Sequence, residues 1–217
     1  MTTARHKPSF ATALLSCLLA VALAGCSFQL KELFGESTSP DETATARPSL
    51  PSYAKGSWYA FNDGSREVVV DIAGDTVTWQ DEKGRLETRY RNPILPRLKW
   101  PEGETSLLAE PDTLWPLAPG NIVRFYEVRS EFDPFRRLTQ RKERVWRCRV
   151  QETAIIDTDA GSFDTYPISC ELRSRGSANR LLGTRLWHYA PEVGHYVRYE
   201  KVDSVGTREI RELIARG

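Results

Sequence analysis

The sequence lacks an excess of charge of either sign. Its 217 residues contain 30 Lys and Arg against 29 Asp and Glu, which gives a formal net charge of +1. A balance this close to neutral excludes the broad basic field on which nucleic-acid-binding proteins depend, so we expect no nucleic-acid partner. With 40% hydrophobic and 27% charged residues, the composition also excludes a helical multispan membrane protein and a wholly disordered chain.

Sequence motifs for catalysis are missing as well. The chain contains no G-x-G-x-x-G, P-loop, G-x-S-x-G, H-E-x-x-H or C-x-x-C pattern. These patterns mark nucleotide binding, serine hydrolases, zinc proteases and thiol oxidoreductases. We therefore predict no catalytic residues, no metal site and no cofactor, and a protein that is not an enzyme.

The first 26 residues form the most specific pattern in the chain. Arg5 and Lys7 give it a basic start, and Phe10 to Leu23 is an uncharged, mostly apolar stretch of fourteen residues. This stretch is too short to cross a bilayer, which takes ~20 apolar residues, and it is typical of a cleaved export signal. It ends in Leu23-Ala24-Gly25-Cys26, which resembles the lipobox of bacterial lipoproteins.

The resemblance to lipoproteins implies how the chain is processed and anchored. Residues 1–25 are removed as a signal peptide, and Cys26 becomes the first residue and carries lipid, palmitate included. Two or more acyl chains hold a protein stably at a membrane. Ser27 rather than Asp follows the cysteine, which by resemblance to enterobacterial sorting implies the outer membrane, facing the periplasm. The inner membrane, the cell surface and an ordinary secreted protein remain alternatives.

A change of composition separates a linker from a folded domain. From Gly35 to Ser52 the chain consists mainly of Ser, Thr, Pro, Asp, Glu and Ala, which cannot bury a core. We therefore predict a lipidated N-terminus and disordered linker over residues 26–52 and a single β domain over residues 53–217.

The turn residues of the domain are spaced as in an all-β protein. Short alternating runs are separated by turn pairs such as Asp63-Gly64 and Gly74-Asp75. They predict an antiparallel meander that forms a strongly curved sheet, sandwich or barrel of about ten strands, with little helix. Six prolines make Asn92 to Gly120 an irregular connection, and Arg208 to Ala215 is ambiguous, with a strand favoured over a helix. The ten predicted strands are 57–61, 67–72, 76–80, 86–91, 122–129, 145–151, 154–157, 163–173, 185–189 and 196–202.

The two cysteines of the domain are predicted to form a disulfide. An oxidising compartment makes the pairing of Cys148 and Cys170 the default. Both alternate with polar or charged residues and so lie on the apolar face of their strands. If the chain folds back at Thr158 to Gly161, paired positions sum to about 318 or 319, and 148 plus 170 is 318. Two buried free thiols, or a register shifted by one residue, remain the alternatives.

A second resemblance concerns architecture alone. Together with Trp115-Pro116-Leu117 and Gly120, two segments resemble uncharacterised exported bacterial proteins with β-rich folds. Those proteins have no established activity to carry over, so the resemblance implies fold and no mechanism. The two segments are AGSFDTY (160–166) and WHYAPEVGHYVR (187–198).

Three classes of function follow from these patterns. The first is a non-enzymatic binding or assembly module that meets an envelope protein partner, with loops as contact surfaces. The second is a carrier of a lipid or other apolar ligand, in which tryptophans line a cavity. The third is a metal-dependent enzyme that uses His188, Glu192 and His195. The candidate binding residues are Trp115, Trp187, Tyr189, Pro191, Glu192 and Gly194.

Overall fold

The computed structural model describes residues 47–108 and 111–217, and these belong to one unit of the chain, residues 45–217. The predicted signal peptide, Cys26 and most of the predicted linker lie outside the described residues. Pro48 and Pro51, at the end of that predicted linker, are buried, and the carbonyl oxygen of Pro48 accepts a hydrogen bond from the Leu117 amide at 3.0 Å.

Thirteen strands and one short 3-10 helix, Pro111–Leu114, make up the regular structure of the described residues. No helix in this part of the chain is both long and apolar enough to cross a membrane. The strands are β1 Trp58–Phe61, β2 Arg66–Ala73, β3 Thr76–Gln80, β4 Leu86–Tyr90, β5 Lys99–Trp100, β6 Gly103–Leu108, β7 Ile122–Phe132, β8 Leu138–Val150, β9 Ala154–Thr158, β10 Gly161–Ser174, β11 Leu181–Ala190, β12 His195–Asp203 and β13 Arg208–Arg216.

The strands close into an antiparallel barrel. Their order is β11-β12-β13-β1-β2-β3-β4-β5-β6-β7-β8-β10, and β11 also pairs with β10, so that twelve strands form a ring. β9 pairs with the first part of β10, outside this ring. The prediction of an all-β antiparallel fold is confirmed, and a strand over residues 208–216 is present as favoured.

Local sequence explains most of the strands. In β3 the buried Val77 and Trp79 alternate with partly exposed polar residues, the period of two that a half-buried strand requires. The turns before and after β2 place Gly64 and Gly74 at φ of +81° and +57°, where a side chain would be strained.

The segment Asn92 to Gly120 is more regular than predicted. It contains β5 and β6, which pair with each other, with β4 and with β7, and thereby complete the barrel wall. Gly103 allows this tight pairing, because a Cβ there would lie 2.2 Å from the ring of Trp100. The prediction of an irregular connection missed these two short strands, because it rested on the prolines that flank them.

The cysteine pairing has the predicted register. Cys148 of β8 lies opposite Cys170 of β10, and a disulfide joins them with their Cα atoms 4.0 Å apart. Both side chains are fully buried in the apolar core.

The two ends of the barrel differ in what fills them. Along the β7–β8 ladder, inward-facing pairs change from Val123 opposite Cys148 and Phe125 opposite Trp146 to Glu127 opposite Arg144. The β7–β8 hairpin lies at what we call the charged end. The opposite, apolar end carries the connection from Pro111 to Asn121 and the loop from Pro191 to Gly194.

Candidate functional site

A cavity of about 430 Å³ lies inside the charged end of the barrel, and we call it the charged cavity. Aromatic side chains and the inward-folded loop Pro93–Pro96 form part of its wall. Six arginines and four glutamates also line it: Arg89, Arg97, Arg129, Arg144, Arg185 and Arg211, with Glu67, Glu87, Glu127 and Glu209.

Glu67 is the carboxylate at the centre of this arrangement. Its Oε2 accepts a hydrogen bond from Nη1 of Arg89 at 2.8 Å, and its Oε1 accepts one from Arg211 at 3.2 Å. The hydroxyl of Tyr196 lies 3.4 Å from Oε1. Burial alone would raise the pKa of Glu67, but Arg89 and Arg211 hold it well below its usual value. Glu67 is therefore a fixed negative charge at neutral pH.

Arg89 is shared between two carboxylates. It pairs with Glu67 and with Glu87, and Glu87 also accepts a hydrogen bond from Arg97 at 3.1 Å. Burial would lower the pKa of Arg89, but Glu67 and Glu87 together raise it. The guanidinium stays protonated, so this network holds charge in place and does not supply protons.

His195 separates Glu67 from the aromatic core. The hydroxyl of Tyr53 lies 2.9 Å from its Nδ1, whereas its Nε2 is 3.6 Å from Oε2 of Glu67. Burial lowers the pKa of His195, and the same cause raises that of Tyr53. His195 is thus a neutral imidazole packed against the rings of Tyr59 and Tyr196.

A second buried carboxylate, Glu127, lies on the opposite wall. Its Oε2 accepts a hydrogen bond from the indole of Trp146 at 2.7 Å. Its Oε1 is 3.4 Å from Nη1 of Arg144, the residue opposite it in the β7–β8 ladder. The longer contact leaves Arg144 less tightly held than Arg89.

Arg185 differs from the other cavity arginines. Its Nη1 donates to the backbone oxygens of Thr184 at 2.7 Å and of Val202 at 3.4 Å, and it forms no ion pair within the described residues. An adjoining cavity of about 480 Å³ shares Arg144, Arg185 and Leu172 with the charged cavity.

The structure does not gather His188, Glu192 and His195 into one site. His195 faces Tyr53 and Glu67, whereas His188 lies opposite Arg198 in the β11–β12 ladder, and Glu192 is exposed. No group of three metal-ligating side chains is found within residues 47–108 and 111–217. The third class of function, a metal-dependent enzyme, gains no support from this geometry.

The six candidate binding residues fall into two places. Trp187 lines the charged cavity, with its ring 5.3 Å from that of Tyr199. At the apolar end, Trp115 meets Tyr189 edge to face at 4.9 Å. Tyr189 also lines a cavity of about 370 Å³ with residues 48–52 and with Pro191, Glu192 and Gly194. Their role in binding stays a prediction.

Sequence reasoning missed the charged residues of the cavity. Glu67 shares a strand face with Val69, and Arg211 shares one with Leu213, so alternation places both on the inward side. A charge in register with buried apolar residues is the signal that could have found them.

No family model matches this chain, and no curated protein matches it. Among solved structures, the chain is similar to the hypothetical lipoprotein YmcC from Escherichia coli K12, with a TM-score of 0.50 and 8% identity over 76% of this chain and 86% of that one. The chain therefore has a YmcC-like fold.

Two other structures show lower scores. A proposed exported protein with a YmcC-like fold from Bacteroides fragilis has a TM-score of 0.45 and 13% identity, over 78% of this chain and 99% of that one. A proposed lipoprotein from Parabacteroides distasonis has a TM-score of 0.43 and 13% identity, over the same shares of 78% and 99%.

Proposed function

We propose that this protein is a lipid-anchored envelope protein that binds a ligand without catalysis. The export signal and the lipobox at Cys26 support the anchor. YmcC, whose fold this chain shares, is itself described as a hypothetical lipoprotein, which is consistent with the anchor. In this proposal the acylated Cys26 holds the protein at the outer membrane, and the barrel lies in the periplasm.

The observation that carries the binding function is the charged cavity inside a closed barrel. Its ionised side chains are held by ion pairs between strands of the ring, as Glu67 is by Arg89 and Arg211. A ligand therefore meets charges that are already in position, which reduces the entropy lost on binding. Ligand sites are typically concave and contain a few such fixed polar groups.

The lining favours a charged ligand over an apolar one. An apolar ligand would separate buried charges from water and offer them no hydrogen bonds, which is unfavourable. Ionic groups on a ligand would form hydrogen bonds with these charges in place of the hydrogen bonds that water makes with them. The alternative of a lipid or apolar-ligand carrier is thus less well supported by this cavity.

An envelope protein partner remains part of the proposal. The loop Pro191–Gly194, with Trp115 and Tyr189 behind it, is the contact surface that we expect at the apolar end. Loops on a rigid scaffold are common sites of recognition.

Filling the charged cavity tests the proposed ligand site. Leu172→Trp adds volume to its wall, and Ile155→Trp, at a side chain 69% exposed on β9, is the matched control. Native mass spectra of full-length protein extracted from envelopes should show a bound mass in wild type and in Ile155→Trp, and none in Leu172→Trp. A wild-type protein without any bound mass, or a folded Leu172→Trp that keeps it, would count against the proposal.

A further inference from the structure

We propose that the wall of the charged cavity formed by β8, β10 and β11 binds a phosphate ester, with Arg144 and Arg185 as its phosphate ligands. This inference rests on the proposed function, because it names the ligand class of the same cavity.

Ion pairing leaves an unbalanced positive charge at one place. Five of the six cavity arginines lie within 3.4 Å of a carboxylate oxygen, and among the described residues Arg185 has no such partner. The positive charge that an anion can neutralise is therefore concentrated at Arg185. The five pairs are Arg89–Glu67, Arg97–Glu87, Arg129–Glu131, Arg144–Glu127 and Arg211–Glu67.

Both proposed phosphate ligands have free donors. The hydrogen bonds of Arg185 within the described residues are made by Nη1, to two backbone oxygens, which fixes the side chain and leaves Nε and Nη2 to donate. The Nε of Arg144 is buried and has no hydrogen-bond partner in the part of the chain that the structure describes. A guanidinium donates two parallel hydrogen bonds to the oxygens of one phosphate, which suits these free donors.

The charge around this wall fits a doubly charged anion. The adjoining cavity is lined by Lys142, Arg144, Arg180 and Arg185, and Glu143 is the one carboxylate among its described lining residues. The carboxylate of Glu143 is already shared by two arginines outside this set, at 3.5 and 3.2 Å. A monovalent carboxylate would leave more of this positive charge without a partner than a phosphate would.

The neighbouring surface fits the organic part of an ester. Leu172, Trp187 and Tyr199 line the charged cavity beside Arg185. A volume of about 430 Å³ also exceeds what inorganic phosphate would fill. Apolar and aromatic side chains next to a phosphate site favour a ligand in which the phosphate is joined to a carbon skeleton.

Calorimetry with three aromatic probes tests the charge preference. Full-length protein in an uncharged detergent is titrated at constant ionic strength with phenyl phosphate, benzoate and benzyl alcohol, which share a ring and differ in charge. We expect phenyl phosphate to bind most tightly and benzyl alcohol to show no measurable binding.

Substitutions test the assignment of the residues. Arg185→Gln should raise the Kd for phenyl phosphate about tenfold or more, because the loss of one charged hydrogen bond changes a Kd by that factor. Arg185→Lys keeps the positive charge and should raise the Kd less. Arg147→Gln, at an exposed position on the outer face of β8, is the matched control and should leave the Kd unchanged. Circular dichroism and urea unfolding establish that each variant is folded.

Competition distinguishes two sources of a phosphate ester. Displacement of phenyl phosphate by dihexanoyl-phosphatidic acid, a phosphate monoester, indicates a lipid headgroup, and displacement by glycerol 3-phosphate indicates a free metabolite. Either result supports the proposal.

The proposal is overturned if folded wild-type protein does not bind phenyl phosphate, if benzyl alcohol binds as well, or if Arg147→Gln loses as much affinity as Arg185→Gln. If phenyl phosphate fails while Leu172→Trp still removes the envelope-derived mass, the phosphate assignment is wrong and the charged cavity remains the binding site. If Leu172→Trp leaves that mass bound, the proposed function itself fails.

Discussion

Arg211 on β13 and Glu67 on β2 form a salt bridge with 3.2 Å between guanidinium and carboxylate, across the intervening strand β1. The two residues are 144 positions apart in the chain. Arg89 on β4 donates hydrogen bonds to both oxygens of the same carboxylate. Glu67 therefore connects β2, β4 and β13, and so bridges the seam of the barrel, where the first strand β1 pairs with the last strand β13.

Replacing Glu67 by Gln should destabilise the barrel. The change removes one of the two carboxylates with which each of Arg89 and Arg211 pairs. Removing one partner of a buried ion pair costs about 3–5 kcal/mol, and the remaining pairs place the expected loss at the lower end of that range. Urea unfolding of Glu67→Gln measures this loss. Glu209→Gln is the matched control, because Glu209 is half exposed in its pair with Lys201 and should change stability by less than about 1 kcal/mol. Equal losses in the two variants would contradict the central role of Glu67.

Stability should fall as the pH decreases through the titration range of histidine. Burial lowers the pKa of His195, and burial together with Arg198 lowers that of His188. The unfolded chain, in which histidine has a pKa of ~6.5, then binds more protons than the folded chain as the pH falls through that value. The free energy of unfolding therefore decreases below that pH, by at most about 1.4 kcal/mol per pH unit for each histidine. Urea unfolding between pH 7.5 and 5.5 should show this slope.

The same series separates the contribution of His195. Its imidazole is surrounded by Glu67, Tyr53, Tyr59 and Tyr196. His195→Gln should reduce the slope and leave the part due to His188. A slope unchanged by the substitution would show that His195 takes up no proton on unfolding in this range.

Removing the disulfide should lower stability by about 3 kcal/mol. Cys148 and Cys170 are 22 positions apart, and the chain-entropy estimate for a loop of that length gives this magnitude. The variant Cys148→Ala/Cys170→Ala tests it in urea without reductant. Titration of the denatured, unreduced wild-type domain should find neither thiol free, and two reactive thiols would contradict the pairing.

Lipid attachment at Cys26 predicts a change of location. Cys26→Ser should move the protein from the membrane fraction to the soluble fraction, because the acyl chains supply the binding energy. Ser27→Asp should keep it at a membrane but shift it from outer to inner membrane in a density gradient, by resemblance to enterobacterial sorting. A Cys26→Ser protein that still sediments with membranes would exclude the lipoprotein interpretation.

Part of this structure follows from local sequence. Alternation and turn residues predicted most of the strands, and the hairpin arithmetic predicted that Cys148 faces Cys170, because register within a hairpin depends on the few residues at its turn. The positive φ of Gly194, +69°, also follows from its loop. The short strands β5 and β6 do not, since each is stable only through the neighbours with which it pairs.

The sequence by itself predicted the export signal and determined the β architecture and the cysteine register, all of which depend on residues close together in the chain or in one hairpin. Only the tertiary structure decided that Glu67, Arg89 and Arg211 meet inside the barrel. Alternation shows which residues share a strand face, but the closure of β10 on β11 and of β13 on β1 decides which face is enclosed. Charges from distant strands become one cavity only when that ring closes.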